Sequence, residues 1–261
     1  MGQGHPAMGG RSGSPHFFWE NNSLGDLKGT AGNCSGMGYD QDPTFWMEAR
    51  RLQEEVARFA SGQQPVDTSV IQTVGGADVS YGGDNAYACF IILEYGSLRG
   101  RTRAAATSKV RFPYVPGYFA FREIPALLAA LRLVPALPDL FLVHGHGYAH
   151  PRRAGIATHL GVLLGVPTIG VAGNLLSGMQ AETPPDRIGE TAPVRMGGEV
   201  VGAMVRTCQG KAPLIISPGF RTTLPDAVSI VLHCTTDHRF PEPLYLADRC
   251  AGRFRKDVCR G

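Results

Sequence analysis

Long apolar runs are missing from this 261-residue chain. No stretch approaches the roughly 18 consecutive apolar residues a membrane-spanning helix needs, so no membrane partner is expected. Met1–Ser14 is Gly-rich and polar and has no apolar core of a secretory leader, which leaves a cytoplasmic location as the default reading. Charge of one sign is scarce too. Lys and Arg total 25 against 22 Asp and Glu, a net charge of +3 that excludes a histone-like or strongly polybasic binder. One local basic face remains compatible with that balance. The six cysteines (Cys34, Cys89, Cys208, Cys234, Cys250, Cys259) form no CxxC pair, so the close-spaced ligands of a zinc ribbon are absent. Cysteines scattered in this way read as small buried hydrophobes or free thiols. No internal repeat is present.

Backbone punctuation is abundant instead. The 34 glycines and 19 prolines are about a fifth of the chain, where average usage is nearer 12%. A hydrophobic content of 43% is enough to bury a core, and the length suits one sizeable domain. Residues 1–42 hold ten of the glycines and no helix or strand period, which reads as an N-terminal extension of a domain over 43–261. His16-Phe17-Phe18-Trp19 interrupts it. Two readings stay open for that cluster: it docks over a pocket of the body, or it is an aromatic knot in a tail.

The spacing predicts a helix over Phe45–Phe59, with Met47, Ala49, Leu52, Val56 and Phe59 on its apolar side. Three strand-like runs follow, Ile71–Tyr81, Ala86–Tyr95 and Arg101–Phe112. Gly82-Gly83-Asp84-Asn85 is a hairpin signal between the first two. Helices are predicted over Phe121–Leu133, Arg152–Leu164, Leu224–Leu232 and Glu242–Lys256. Asp139–His144 and Pro167–Ala172 read as short buried parallel strands. One further hairpin fits Glu199–Thr207 with Leu214–Ser217. Three antiparallel strands followed by alternating helix and strand make an α/β fold, a mixed β-sheet flanked by helices.

Chemistry concentrates at few places. Asp78 ends an apolar strand, where a carboxylate is placed to ligate a hard cation; a turn aspartate has the same pattern. Glu123 opens a helix, where an acid is also favoured by the helix dipole. Before it, Phe112-Pro113-Tyr114-Val115-Pro116-Gly117-Tyr118 is a stiff loop holding aromatic rings outward, fit to wedge between bases or simply to pack. The densest polar cluster is His144-Gly145-His146-Gly147-Tyr148-Ala149-His150-Pro151-Arg152. Three of eight histidines fall there, after a buried strand, where α/β sheets collect ligands. Imidazoles at this density suit a transition metal, and the glycines admit a close ligand. Arg239–Arg260 carries six basic residues against three acids, a solvated helix face or a phosphate contact.

The chain resembles the endonuclease V family. The residues that carry the likeness are Gly76-Ala77-Asp78-Val79-Ser80, Pro113-Tyr114-Val115-Pro116-Gly117 with Phe121-Arg122-Glu123, and Gly145-x-Gly147 with His150-Pro151-Arg152. Gly155-Ile156-Ala157-x-His159-Leu160-Gly161, Pro167–Ala172, Ser217-Pro218-Gly219 and Pro241-Glu242-Pro243 with Ala247-Asp248 continue it in the family's order over about 45–256. The resemblance implies an RNase H-like fold and divalent-metal phosphodiester hydrolysis beside deaminated bases such as inosine in DNA or RNA. It implies that Asp78 and Glu123 are metal-binding acids. Tyr114, with Pro116 and Gly117, matches the wedge, and Gly145, Gly147 and Tyr148 line the pocket of the extruded base.

Four positions depart from the family pattern. His144 stands for a metal-binding aspartate, Gly173-Asn174 for a catalytic lysine, Phe220 for a histidine, and Leu244-Tyr245 for Thr-Arg. A mixed set of Asp78, Glu123 and His144, extended by His146 and His150, suits manganese, iron or zinc better than magnesium. Phe220 would make the site more apolar. Three functions follow as alternatives: a divergent nuclease using magnesium or manganese; a small-molecule enzyme using iron, zinc or haem iron at the histidines; and a catalytically dead nucleic-acid binder.

Overall fold

The computed structural model describes residues 43–260. The predicted 1–42 extension and its aromatic cluster lie outside that range. The described elements are α1 (Pro43–Phe59), β1 (Thr73–Gly82), β2 (Asn85–Glu94), β3 (Gly100–Lys109), α2 (Phe119–Leu131), β4 (Leu140–His144) and α3 (Ile156–Leu164). They continue with β5 (Thr168–Ala172), β6 (Met179–Ala181), β7 (Thr191–Met196), β8 (Glu199–Val205), β9 (Leu214–Phe220), α4 (Leu224–His233) and α5 (Glu242–Val258).

All nine strands form one sheet in the order β3-β2-β1-β4-β5-β9-β8-β7-β6. β1 pairs antiparallel with β2 but parallel with β4, and β4 is parallel with β5. This is the mixed, RNase H-like sheet flanked by helices that the sequence led us to expect. The β1–β2 turn is tight because Gly83, at φ +56°, takes the left-handed backbone a side chain disfavours. In β2 every residue from Ala86 to Leu93 is buried, so the strand is covered on both faces. One cover is α2 and α3, packed on Ala77, Phe90, Phe141 and Val143. The other is α4 and α5, packed on Val74, Cys89, Leu142 and Ile216. Burying each such large side chain contributes about 1.5–3 kcal/mol.

Several boundaries differ from expectation for identifiable reasons. On α1, Met47 and Phe59 are 69% and 63% exposed, whereas Ala49, Gln53 and Val56 are buried. The helix docks through a narrow stripe, and a polar Gln occupies part of it. The helix expected from Arg152 begins at Ile156 instead. A Cβ on Gly155 would lie 2.2 Å from the His146 carbonyl oxygen, so this stretch is pressed flat against the preceding loop. β6 and β7 were not foreseen; Pro193 within β7 masks its strand signal.

Candidate active site

The C-terminal ends of the parallel strands face one end of the molecule, and there a cavity of about 520 Å³ opens. Asp78 on β1, Glu123 on α2, His144 at the end of β4 and Asp248 on α5 all line it. His144 Nδ1 lies 2.8 Å from Asp78 Oδ1. Burial pulls the imidazole toward neutrality, but the Asp78 hydrogen bond and charge, helped by Asp248, outweigh it and raise its pKa. Glu123 is buried and accepts a hydrogen bond from Tyr81 Oη at 3.0 Å. Burial, then the neighbouring Asp78 charge, drive its carboxyl well above the usual carboxylate range. The same two causes raise Asp248. Three acids are thus held together against their mutual repulsion, a cost that a cation among them relieves.

Beside the acids stands the aromatic loop. Tyr114 at its tip is 69% exposed. The root of the loop is fixed at the Gly117 carbonyl oxygen, which accepts from Gln53 Nε2 (2.8 Å), His150 Nε2 (3.0 Å) and Arg152 Nη2 (2.8 Å). Gly117 has φ +81°, which turns this carbonyl inward. Pro116 and Gly117 both line the cavity.

The three histidines of the cluster all line the cavity, but they differ in what their rings bond. His150 donates Nε2–H to Gly117 and accepts at Nδ1 from the Arg152 amide, so both ring nitrogens are engaged. Burial and the Arg152 charge push its pKa down to about 3. His146 reaches the cavity, but its Nδ1 is buried without a partner and burial lowers its pKa to about 4. Among the described residues, no group of three or more His, Cys, Asp or Glu side chains is disposed to hold a metal ion as it stands.

Other expected positions are split. Gly145 lines the cavity, but Gly147 and Tyr148 do not. A Cβ on Gly147 would lie 2.1 Å from the Pro218 carbonyl oxygen, so that glycine admits the close approach of neighbouring backbone. Tyr148 turns away and donates to Glu199 Oε1. Phe220 pairs with Thr168 at the start of β5, the end remote from the Ala172 and Gly173 that line the cavity. It therefore does not make the cavity apolar. Leu244 is buried in the core, and Tyr245 stacks on His238. Of the four departures, only His144 and Gly173-Asn174 face the cavity.

Two features escaped the sequence reading. Asp248 is a full member of the acid group; the signal was an acid facing inward from an otherwise basic helix. Cys89 and Cys250 form a disulfide across 161 residues, in place of the free thiols expected; Cys208, Cys234 and Cys259 are free among the described residues. Cys89 is the register partner of Asp78, and Cys250 follows Asp248 by two positions, so the bridge ties α5 to the sheet beside the acids.

Fold and site together define a class: an α/β protein in which one carboxylate of the mixed sheet and two of its covering helices line one cavity at the parallel-strand ends, beside a projecting aromatic loop. Residues 51–249 match the family model for endonuclease V, and the chain belongs to the endonuclease V family. An endonuclease V from Roseiflexus sp. (strain RS-1) is 44% identical over 219 residues, 83% of this chain and 97% of the relative. The crystal structure of the Streptomyces avermitilis endonuclease V is 40% identical with a TM-score of 0.77, covering 82% of this chain and 94% of the other. A Ciona intestinalis endonuclease V in complex with a 24mer DNA containing an inosine followed by a ribo-adenosine is 30% identical with a TM-score of 0.72, covering 82% and 98%.

The family is one of metal-dependent nucleases, and the donor chemistry here fits a divalent cation. Asp78, Glu123 and Asp248 place hard oxygen atoms around one cavity, the donor type a divalent cation takes. No helix among the described residues is long and apolar enough to cross a membrane.

Proposed function

We propose that this protein cleaves a phosphodiester bond of DNA or RNA beside a deaminated base such as inosine, with a divalent cation. The observation that supports it most is the sharing of one cavity by Asp78, Glu123, Asp248 and the root of the Tyr114 loop. The three carboxylates would hold the cation, which when bound polarises the phosphate and lowers the pKa of water. Asp78 fixes His144 through Nδ1 and leaves Nε2 as a nitrogen donor beside three oxygens. A nitrogen in the set favours manganese over magnesium, because magnesium prefers oxygen ligands. The cavity, at about 520 Å³, is large enough for one extruded base. Exposed Tyr114 stands where it can fill the gap that base leaves in the stack.

For the alternative reading as a small-molecule enzyme with iron, zinc or haem iron, His150 is engaged at Gly117 and Phe220 is outside the cavity, while the replacements His144 and Gly173 line it and the aromatic N-terminal cluster lies outside the described residues. The test of the nuclease reading is an inosine-containing oligonucleotide incubated with manganese. Cleavage near the inosine supports it. Specific binding without cleavage at high enzyme concentration overturns it in favour of a binding protein.

A further inference from the structure

A second cavity, of about 620 Å³, lies between edge strand β3 and α5, away from the acids. Four arginines line it, Arg101 and Arg103 from β3 and Arg249 and Arg253 from α5, against the single acid Asp257. Four positive charges less one negative leave +3 on the lining, or +2 once the Glu94 that pairs with Arg101 is counted. Arg101 is paired with Glu94 at 3.4 Å, and Arg249 donates to Tyr245 Oη. For Arg103 and Arg253, both exposed, no acid partner occurs among the described residues. Both stand on rigid elements, so their charge is presented at fixed positions.

We propose that this groove binds nucleic acid, holding the backbone phosphates of a single strand that runs past α5. The inference rests on the nucleic-acid reading of the acidic cavity, though not on its chemistry. Arginine forks match phosphate oxygens in pairs, which compact ammonium groups do not. The groove floor is apolar, with Leu93, Leu246 and the ring of Phe254, the kind of surface on which bases of a single strand rest while their phosphates meet cations. α5 is a wall shared by both cavities: Asp248 faces the acidic one and Arg249 the basic one. In the sheet, Asp78 is in register with Cys89, and Cys89 with Ala105 of the groove. Two strand spacings, about 10 Å, therefore separate the acid from the groove floor. A strand that reaches both cavities crosses α5, the wall between them.

The test is fluorescence anisotropy with a labelled single-stranded DNA that lacks inosine, in the absence of divalent metal, over a salt series. Arg103→Ala/Arg253→Ala is expected to bind more weakly and to lose about 1.4 from the slope of log K against log salt, about 0.7 per phosphate contact. Arg103→Lys/Arg253→Lys is expected to keep the slope, and unchanged melting of both variants separates charge from folding. An alanine variant that binds like the parent, or a parent that does not bind, overturns the proposal. So does arginine-dependent binding to phosphatidylserine vesicles without binding to the DNA. Arginine-dependent binding with no inosine cleavage refutes the nuclease reading alone. Cleavage with arginine-independent binding refutes the groove alone.

Discussion

Reduction of Cys89–Cys250 is the perturbation with the clearest magnitude. The bridge spans 161 residues, so opening it releases a long loop in the unfolded chain. Loop-closure entropy for that separation is worth about 5 kcal/mol at 25 °C as an upper bound, and measured disulfides usually deliver about 2–4 kcal/mol. Cys89 is fully buried in the core under α5, so Cys89→Ala/Cys250→Ala adds a small cavity cost to the same loss. Urea unfolding of oxidised, reduced and double-alanine protein measures the difference. We expect the reduced form to be destabilised by about 2–5 kcal/mol and the double variant to be insensitive to reductant. Because Cys250 lies two positions from Asp248, the reduced form is also expected to bind a divalent cation more weakly. Identical unfolding midpoints with and without reductant, together with two additional alkylatable thiols before reduction, would refute the bridge and this account of how α5 is held.

Three further outcomes follow from the site and the core. His144→Asp replaces a nitrogen donor by an oxygen donor, so the ratio of magnesium- to manganese-supported cleavage is expected to rise; an unchanged ratio contradicts the assignment of His144 to the metal set. Tyr114→Ala removes a ring that is 69% exposed, so stability is expected to stay within about 0.5 kcal/mol while preference for inosine over undamaged sites falls. His159 is buried with its Nδ1 unpartnered, and burial lowers its pKa from 6.5 to about 4. The unfolded chain therefore takes up this proton between those values while the folded chain does not. Its contribution is full above pH 6.5 and is lost as pH falls through about 4, up to about 3 kcal/mol in total. Urea midpoints of the parent and His159→Leu across that range check it; parallel pH profiles exclude the effect.

The strands that carry the site were readable because they alternate or run apolar between glycines and prolines. Glu123 lies near a helix start as expected, whereas Asp78 lies inside β1, one residue past its parallel pairing with β4 and four before the strand's end. β7 was hidden by Pro193, and α3 started four residues late because Gly155 packs against the His146 carbonyl. The histidine run is only partly legible, since nearness in sequence says nothing about what a ring bonds: His144, His146 and His150 all line the cavity, but both ring nitrogens of His150 are engaged at the loop root. Phe220 was misplaced for the opposite reason, because only the pairing with Thr168 shows which end of the sheet it occupies. Asp248 and the disulfide depend on α5 crossing β1 and β2, a contact between residues more than 150 apart that no local pattern encodes.

The central claim is that Asp78, Glu123 and Asp248 act together on one cation at a phosphodiester. The most direct measurement is manganese-dependent cleavage of an inosine-containing oligonucleotide by the parent and by Asp248→Asn, with cation affinity measured alongside. We expect cleavage by the parent and at least about 100-fold loss in the variant, with weakened manganese binding. Parent protein that leaves the oligonucleotide intact, or a variant that cuts and binds manganese like the parent, contradicts it.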